Sequence, residues 1–216
     1  MASATTVHLV DDDPSFLTAL SRFIRAAGFP VAVYTSAAEL LASISPATRG
    51  CVVADLDMPG LSGLELQTLL PERGIAMPVV FLTGRGDISS SVRAMRSGAV
   101  DFLEKLAPSD QLLAAVTSAL ERDAEAQHAR TTLVERRRRF DALTAREREV
   151  LLLVVRGKMN KQIAAALGIH ERTVKLHRTA ITSKLGVHSV AQLAVLTSEA
   201  KLAIDAPRSS GAGRPA

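Results

Sequence analysis

The chain has a single cysteine, Cys51, so no internal disulfide can form, and within its apolar run the thiol reads as a small packed hydrophobe rather than a redox or metal centre. It also lacks any apolar run near the ~20 residues that cross a bilayer. The longest, Val150 to Val155, falls far short. The opening MASATTVHLV lacks a basic segment followed by an apolar one, so the expectation is a cytoplasmic protein with no membrane contact. No internal repeat is present. What remains is ample apolar content, 47% of 216 residues, which suits one large domain or two small ones. Charge is divided unevenly between the halves. Residues 1–120 carry 8 basic against 12 acidic residues, and residues 121–216 carry 18 against 10. An acidic module joined to one that meets a polyanion fits this asymmetry, and a solvated basic face is the other reading.

The first ~120 residues alternate short apolar runs with helical patterns. The runs are VHLV, VAVY, CVVA, PVVFL and AVDFL; the helical patterns are Pro14 to Ala27, Ser36 to Ser43, Gly63 to Leu70, Asp87 to Ser97, and Ser109 onward. Five strands alternating with five helices predict a doubly wound, five-stranded parallel sheet, with its site at the carboxyl ends of the strands. From about Glu121 to Phe140 the helical pattern becomes highly charged, as in an exposed helical linker. Its block Arg136 to Arg139 reads either as a phosphate contact or as a solvated face. Four short helices follow, Ala145 to Arg156, Lys161 to Leu167, Glu171 to Leu185 and Val190 to about Lys201, then a Pro/Gly/Ser-rich tail expected to be disordered over 206–216.

The strand ends gather chemistry. After Val10 come Asp11, Asp12 and Asp13; Asp13 before Pro14 is explained as a helix N-cap, which leaves Asp11 and Asp12 without a structural task. The third strand ends at Asp55, the fourth at Thr83, and the fifth passes Phe102 to reach Lys105. Three carboxylates would repel one another and raise their own pKa values, so they call for a cation. Hard oxygen donors with room for water suit Mg²⁺, and Lys105 suits a phosphoryl oxygen. Asp55 closes a buried strand, whereas Asp57 lies two residues into a loop that ends at Pro59.

Val10-Asp11-Asp12, Asp55-x-x-Met58-Pro59 with Gly63, Thr83-Gly84 and Lys105, in that order, resemble the receiver domain of bacterial two-component response regulators over about residues 5–122. The likeness implies a flavodoxin-like α/β fold. It further implies that Asp55 accepts a phosphoryl group from a sensor histidine kinase. Mg²⁺ would be held by Asp12, Asp55 and the backbone carbonyl of Asp57, with Asp11 helping through water. Thr83 and Lys105 would bind the phosphoryl oxygens, and an inward movement of Thr83 would couple to Phe102. Asp55-Leu56-Asp57 also matches the D-x-D of haloacid-dehalogenase-like phosphatases, but there the motif ends the first strand rather than the third.

In the basic half, Thr144 and Glu147 form a capping-box pattern, and Asn160 is a candidate N-cap. Val174, His177, Ile181 and Leu185 make one stripe of the next helix, opposite Arg172, Lys175, Arg178, Thr179 and Thr182. A basic second helix after a glycine turn describes a helix-turn-helix reading the major groove of double-stranded DNA. The segment 141–203 resembles the LuxR-type helix-turn-helix through L-T-x-R-E-x-E-V-L, N-K-x-I-A, T-V-K-x-H and K-L. With the receiver and the linker 123–140, the whole resembles the NarL/FixJ group of response regulators. That implies a DNA-binding transcription regulator, not a turnover enzyme, working as a phosphorylation-dependent homodimer with RNA polymerase. The expected DNA-binding set is Asn160, Lys161, Arg172, Thr173, Lys175, Leu176, Arg178 and Thr179, with Lys175, Leu176 and Thr179 toward base edges. His177 reads as a packed histidine or a base reader. Two departures stand out. His170 occupies the N-cap usually held by serine, a loss of ~1 kcal/mol, and Leu106 follows Lys105 where the family has proline, which predicts a trans peptide bond there.

Overall fold

The computed structural model describes residues 5–84, 88–187, 189, 192, 193 and 196. It divides into two compact units, Met1–Gln127 and His128–Ala216. In the first, β1 (Thr6–Val10), β2 (Val31–Tyr34), β3 (Gly50–Asp55), β4 (Val79–Thr83) and β5 (Asp101–Glu104) alternate with α1 (Pro14–Ala26), α2 (Ala37–Ser43), α3 (Gly63–Glu72), α4 (Ile88–Arg96) and the first part of α5 (Ser109–Asp141), whose remainder belongs to the second unit. All strand pairs are parallel, in the order β2-β1-β3-β4-β5. The expected start of the fourth helix, Asp87, lies outside the described residues.

The central strands read as continuous apolar runs because both of their faces are covered. On one face Val7, Leu9, Cys51, Val53, Val80 and Leu82 pack with Leu17, Leu20 and Ile24 of α1 and Leu112, Val116 and Ala119 of α5. On the other, Val10, Val52, Ala54 and Phe81 pack with Leu40 of α2, Leu66 and Leu70 of α3, and Ala94 of α4. Cys51 is fully buried, and burial pushes its thiol up to about 12, helped by the charge of Asp123. Asp123 itself is buried on α5, where its carboxylate accepts the Gly50 N–H at the start of β3 at 3.1 Å.

No glycine or proline interrupts α5, which runs as one helix from Ser109 through the charged stretch to Asp141. In the second unit α6 (Ala145–Val155), α7 (Asn160–Leu167) and α8 (Glu171–Leu185) enclose a core of Leu143, Val150, Leu151, Val154, Ile163, Val174, Ile181 and Leu185. Thr144 and Glu147 form the expected capping box. Asn160, however, is not an N-cap: it is the first helical residue, Met159 holds the cap position, and the Gln162 side chain accepts the Met159 N–H at 3.0 Å. Of the expected fourth helix only positions 192, 193 and 196 are described, and the tail 206–216 lies wholly outside the described residues.

Candidate functional site

The carboxyl edge of the sheet brings together the strand-end residues. Asp11 follows β1 directly, Asp55 is the last residue of β3, Thr83 the last of β4, and Lys105 lies one residue past β5. Asp11, Asp55 and Thr83 are buried, whereas Asp12 is exposed at the mouth. Carboxylate oxygens of Asp11, Asp12 and Asp55 lie within 4.8 Å of one another. Lys105 reaches into this group, its Nζ 2.6 Å from Asp11 Oδ2, 3.2 Å from Asp55 Oδ2 and 4.6 Å from the centroid of the Phe16 ring. Asp57 is exposed in the following loop, and its side chain is not part of the cluster.

Each carboxylate has a distinct setting. Asp13 caps α1, accepting from Ser15 N and Phe16 N at 2.8 and 3.2 Å. Asp11 is not idle in the fold: its Oδ1 accepts the Asp13 N–H at 3.0 Å, so it braces the cap while its other oxygen holds Lys105. Asp55 Oδ1 accepts from Leu56 N at 2.8 Å, which leaves Oδ2 on the lysine. Burial raises the Asp55 pKa, and although Lys105 opposes this, Asp11 adds to it. Burial would lower the Lys105 pKa, but the bonds and charges of Asp11 and Asp55 outweigh it and raise the value. The pocket thus holds a carboxylate that is costly to ionise beside an ammonium that stays charged.

Backbone contacts set this geometry. Lys105 N donates to the Thr83 carbonyl at 2.8 Å, which fixes the lysine beside the end of β4. Phe102 is half-buried, its ring 6.3 Å from that of Phe81 at 50°. Gly63 opens α3 directly against the end of β3. A Cβ there would lie 2.4 Å from the Asp55 carbonyl oxygen and 2.9 Å from Phe81 Cε1. No cis peptide bond occurs among the described residues, so Lys105-Leu106 is trans as its sequence predicts, and Leu106 is 95% exposed.

In the second unit α8 presents Arg172, Lys175, Leu176 and Thr179 to solvent, with Thr173 and His177 half-buried and Val174, Ile181 and Leu185 in the core. Leu176 is 65% exposed, an apolar side chain left on a basic surface. Lys161 is exposed on α7. Asn160 and Arg178, expected on DNA, are bonded to each other, Arg178 Nη1 donating to Asn160 Oδ1 at 3.0 Å. His170 holds the N-cap of α8 without a side-chain hydrogen bond, as its sequence implies. Several contacts were not legible in sequence. Glu147 is buried and accepts from Lys184 of α8 at 2.9 and 2.7 Å, a bond that with the Thr144 cap lowers its pKa. Arg139 donates to the Leu185 carbonyl at 3.3 Å. The capping box signals only the Thr144 half of the Glu147 arrangement.

Comparison with known protein families matches residues 7–117 to the response regulator receiver domain and residues 141–197 to the bacterial regulatory proteins of the luxR family. The chain belongs to the response regulators. This response regulator is 43% identical over 187 residues to Nodulation protein W of Bradyrhizobium diazoefficiens, covering 87% of the chain and 82% of that protein. It is 40% identical over 193 residues to the transcriptional regulatory protein FixJ of Azorhizobium caulinodans, covering 89% and 92%. Among solved structures it resembles the response regulator StyR, with a TM-score of 0.85 and 44% identity over 91% of this chain and 100% of that one. Full-length FixJ from B. japonicum is similar with a TM-score of 0.55 and 32% identity, over 93% and 98%. These relatives place the response regulator in the NarL/FixJ group, a receiver joined to a LuxR-type DNA-binding module.

Proposed function

We propose that this response regulator takes a phosphoryl group onto Asp55 from a sensor histidine kinase and thereby controls transcription through α8. The observation that carries the reading is the seating of Asp55: it ends β3, is buried, and has one oxygen on Leu56 N and the other on Lys105, within a cluster completed by Asp11 and Asp12. An Asp55 oxygen attacks phosphorus, forming an O–P bond as the N–P bond to the donor histidine breaks and its electron pair returns to the imidazole. Lys105 then moves from pairing carboxylates to pairing the new phosphoryl oxygens, for which its raised pKa keeps it charged. Thr83 offers its hydroxyl to the same group, and Phe102 follows it as the switch residue, biasing two pre-existing states of the receiver.

The donor set fits Mg²⁺, because three carboxylates share one small volume beside a solvent-open mouth at Asp12. Asp12, Asp55 and the Asp57 backbone carbonyl would hold it, with Asp11 acting through water. Bound there, the ion neutralises charge on the attacking carboxylate and on the incoming phosphate. The D-x-D phosphatase reading finds no support, since Asp57 is exposed and its carboxylate lies outside the cluster.

In this reading residues 5–122 form the receiver, 123–140 a helical linker and 141–203 the DNA-binding domain. Lys175, Leu176 and Thr179 face base edges of double-stranded DNA, while Lys161, Arg172 and Thr173 lie toward the backbone. Asn160 and Arg178 join them as a bonded pair at the edge of the groove. The protein is cytoplasmic, is not a turnover enzyme, forms a homodimer when phosphorylated and meets RNA polymerase at its promoters. Incubation with acetyl phosphate and Mg²⁺ tests it: stable labelling of wild type that Asp55→Asn loses supports the reading. No labelling leaves a phosphorylation-independent regulator, and continuous phosphate release makes the protein a phosphatase.

A further inference from the structure

The block Arg136 to Arg139 has the composition of a phosphate-binding stretch, yet its last member is engaged within the protein. Arg139, near the end of α5, donates from Nη1 to the carbonyl of Leu185, the final residue of α8. Gly186, which closes α8 at φ 67°, makes room for it: a Cβ there would lie 3.0 Å from Arg139 Nη1. A helix C-terminus carries unpaired carbonyls and partial negative charge, so a guanidinium is a favourable partner. The C-terminus of α7 is treated alike, with Arg146 of α6 donating to the Leu167 carbonyl.

Side-chain hydrogen bonds join α8 to each of the three preceding helices: Arg178 to Asn160 of α7, Lys184 to Glu147 of α6, and Arg139 of α5 to the Leu185 carbonyl. Only the last belongs to the helix that runs on from the receiver. We propose that Arg139 is a positioning residue for DNA reading, which fixes the C-terminal end of α8 so that Lys175 and Leu176 meet base edges in register. It is not a phosphate contact. The inference rests on α8 being the reading helix.

The two roles separate by what they do to specificity and to salt dependence. A phosphate contact strengthens all duplexes alike and steepens the salt dependence of binding, whereas a positioning residue acts on discrimination. The full-length protein would be assayed against a duplex recovered by selection with wild type and against a random duplex, each over a range of salt. Arg139→Ala should lower the selected-to-random affinity ratio by about fivefold or more, of the order of one disturbed base contact, with an unchanged salt slope. Arg139→Lys should restore most of the ratio, and Arg138→Ala, which removes a neighbouring charge, should leave it as in wild type. If Arg139→Ala does not fold, Arg139→Gln is read by the same criteria. Equal weakening of both duplexes with a shallower slope, or an unchanged ratio, overturns the proposal. Lys175→Ala run alongside tells which level has failed: discrimination lost there but kept in Arg139→Ala rejects the positioning role alone, and discrimination kept in both rejects α8 as the reader and the proposal with it.

Discussion

Gly63→Ala should damage the receiver although it adds only one methyl group and replaces glycine in a helix. The new Cβ would meet the Asp55 carbonyl oxygen at 2.4 Å, Phe81 Cε1 at 2.9 Å and Leu56 Cα at 3.2 Å, and two of these three atoms are backbone. Relief requires a shift of about 1 Å between α3 and β3, in a core packed as densely as a crystal. The helix cannot easily slide, because Gly63 N donates to the Leu56 carbonyl at 3.0 Å and Ser62 and Glu65 close a capping box around the same turn. Overpacking of this kind costs about 1–3 kcal/mol, and the better helix propensity of alanine returns less than ~1 kcal/mol at a first helical position. A net loss of about 2 kcal/mol corresponds to a urea midpoint lower by about 1–2 M. The chain has one tyrosine, Tyr34 on β2, and no tryptophan, so tyrosine fluorescence follows the first unit without interference from the second. The strained backbone is that of Asp55 itself, so phosphoryl uptake should slow as well. An unchanged tyrosine-monitored midpoint in Gly63→Ala would refute the steric argument.

Asp55→Asn should abolish labelling by acetyl phosphate, while Asp57→Asn should change mainly the lifetime of the label; the reverse pattern in a labelling gel would reject the assignment of Asp55. Because burial raises the Asp55 pKa above 3.8, its ionised form costs stability at neutral pH. Asp55→Asn should therefore melt higher than wild type at pH 7, and the difference should close as pH falls from the raised value toward 3.8, which calorimetry would follow. Mg²⁺ should raise the melting temperature of wild type but not of Asp55→Asn. Glu147 has the opposite sign: its lowered pKa stabilises the fold above 4.5, and this contribution is lost as pH falls through the folded value. Glu147→Ala should destabilise the second unit by about 1–2 kcal/mol, because it removes the acceptor of Lys184 and of the Thr144 N–H while leaving the bond from the residue-147 N–H to Thr144 Oγ1, and a circular-dichroism melt that matched wild type would count against it. Lys175→Ala should relax base preference, whereas Arg172→Ala should weaken every duplex alike and flatten its salt dependence.

The receiver was legible because buried parallel strands are written as apolar runs, so that a polar residue closing such a run announces the sheet edge. Asp55 and Thr83 were each found that way, and Lys105 follows one residue beyond the end of β5. Contacts between residues distant in sequence leave no comparable trace. Asn160 stands where an N-cap belongs, but its side chain is taken by Arg178, 18 positions away, and the helix begins one residue earlier than the polar pattern suggests. Likewise Thr144 and Glu147 are visible as a local box, while Lys184, 37 positions on, is not. Asp11 looked free of structural work because its bond to Asp13 N competes with nothing that sequence periodicity records. Gly63 could be recognised as part of a pattern; that a methyl there would strike the Asp55 carbonyl is a property of the packed strand and helix alone.

The seclusion of Cys51 bears on which chemical inputs can reach the protein. With the thiol buried and pushed up to about 12, the thiolate fraction at neutral pH is of order 10⁻⁵. Peroxides and disulfides react with thiolates, so oxidant would find almost nothing to modify on β3, the strand that Asp55 closes, and chemistry at Asp55 would proceed without interference from changing redox conditions at this thiol. The same inertness makes the wild-type chain a ready background for a reporter thiol. A second cysteine placed on an exposed position such as Arg172 or Leu106 could carry a fluorophore or spin label while Cys51 stayed unlabelled, and the native sequence would need no cysteine removed first.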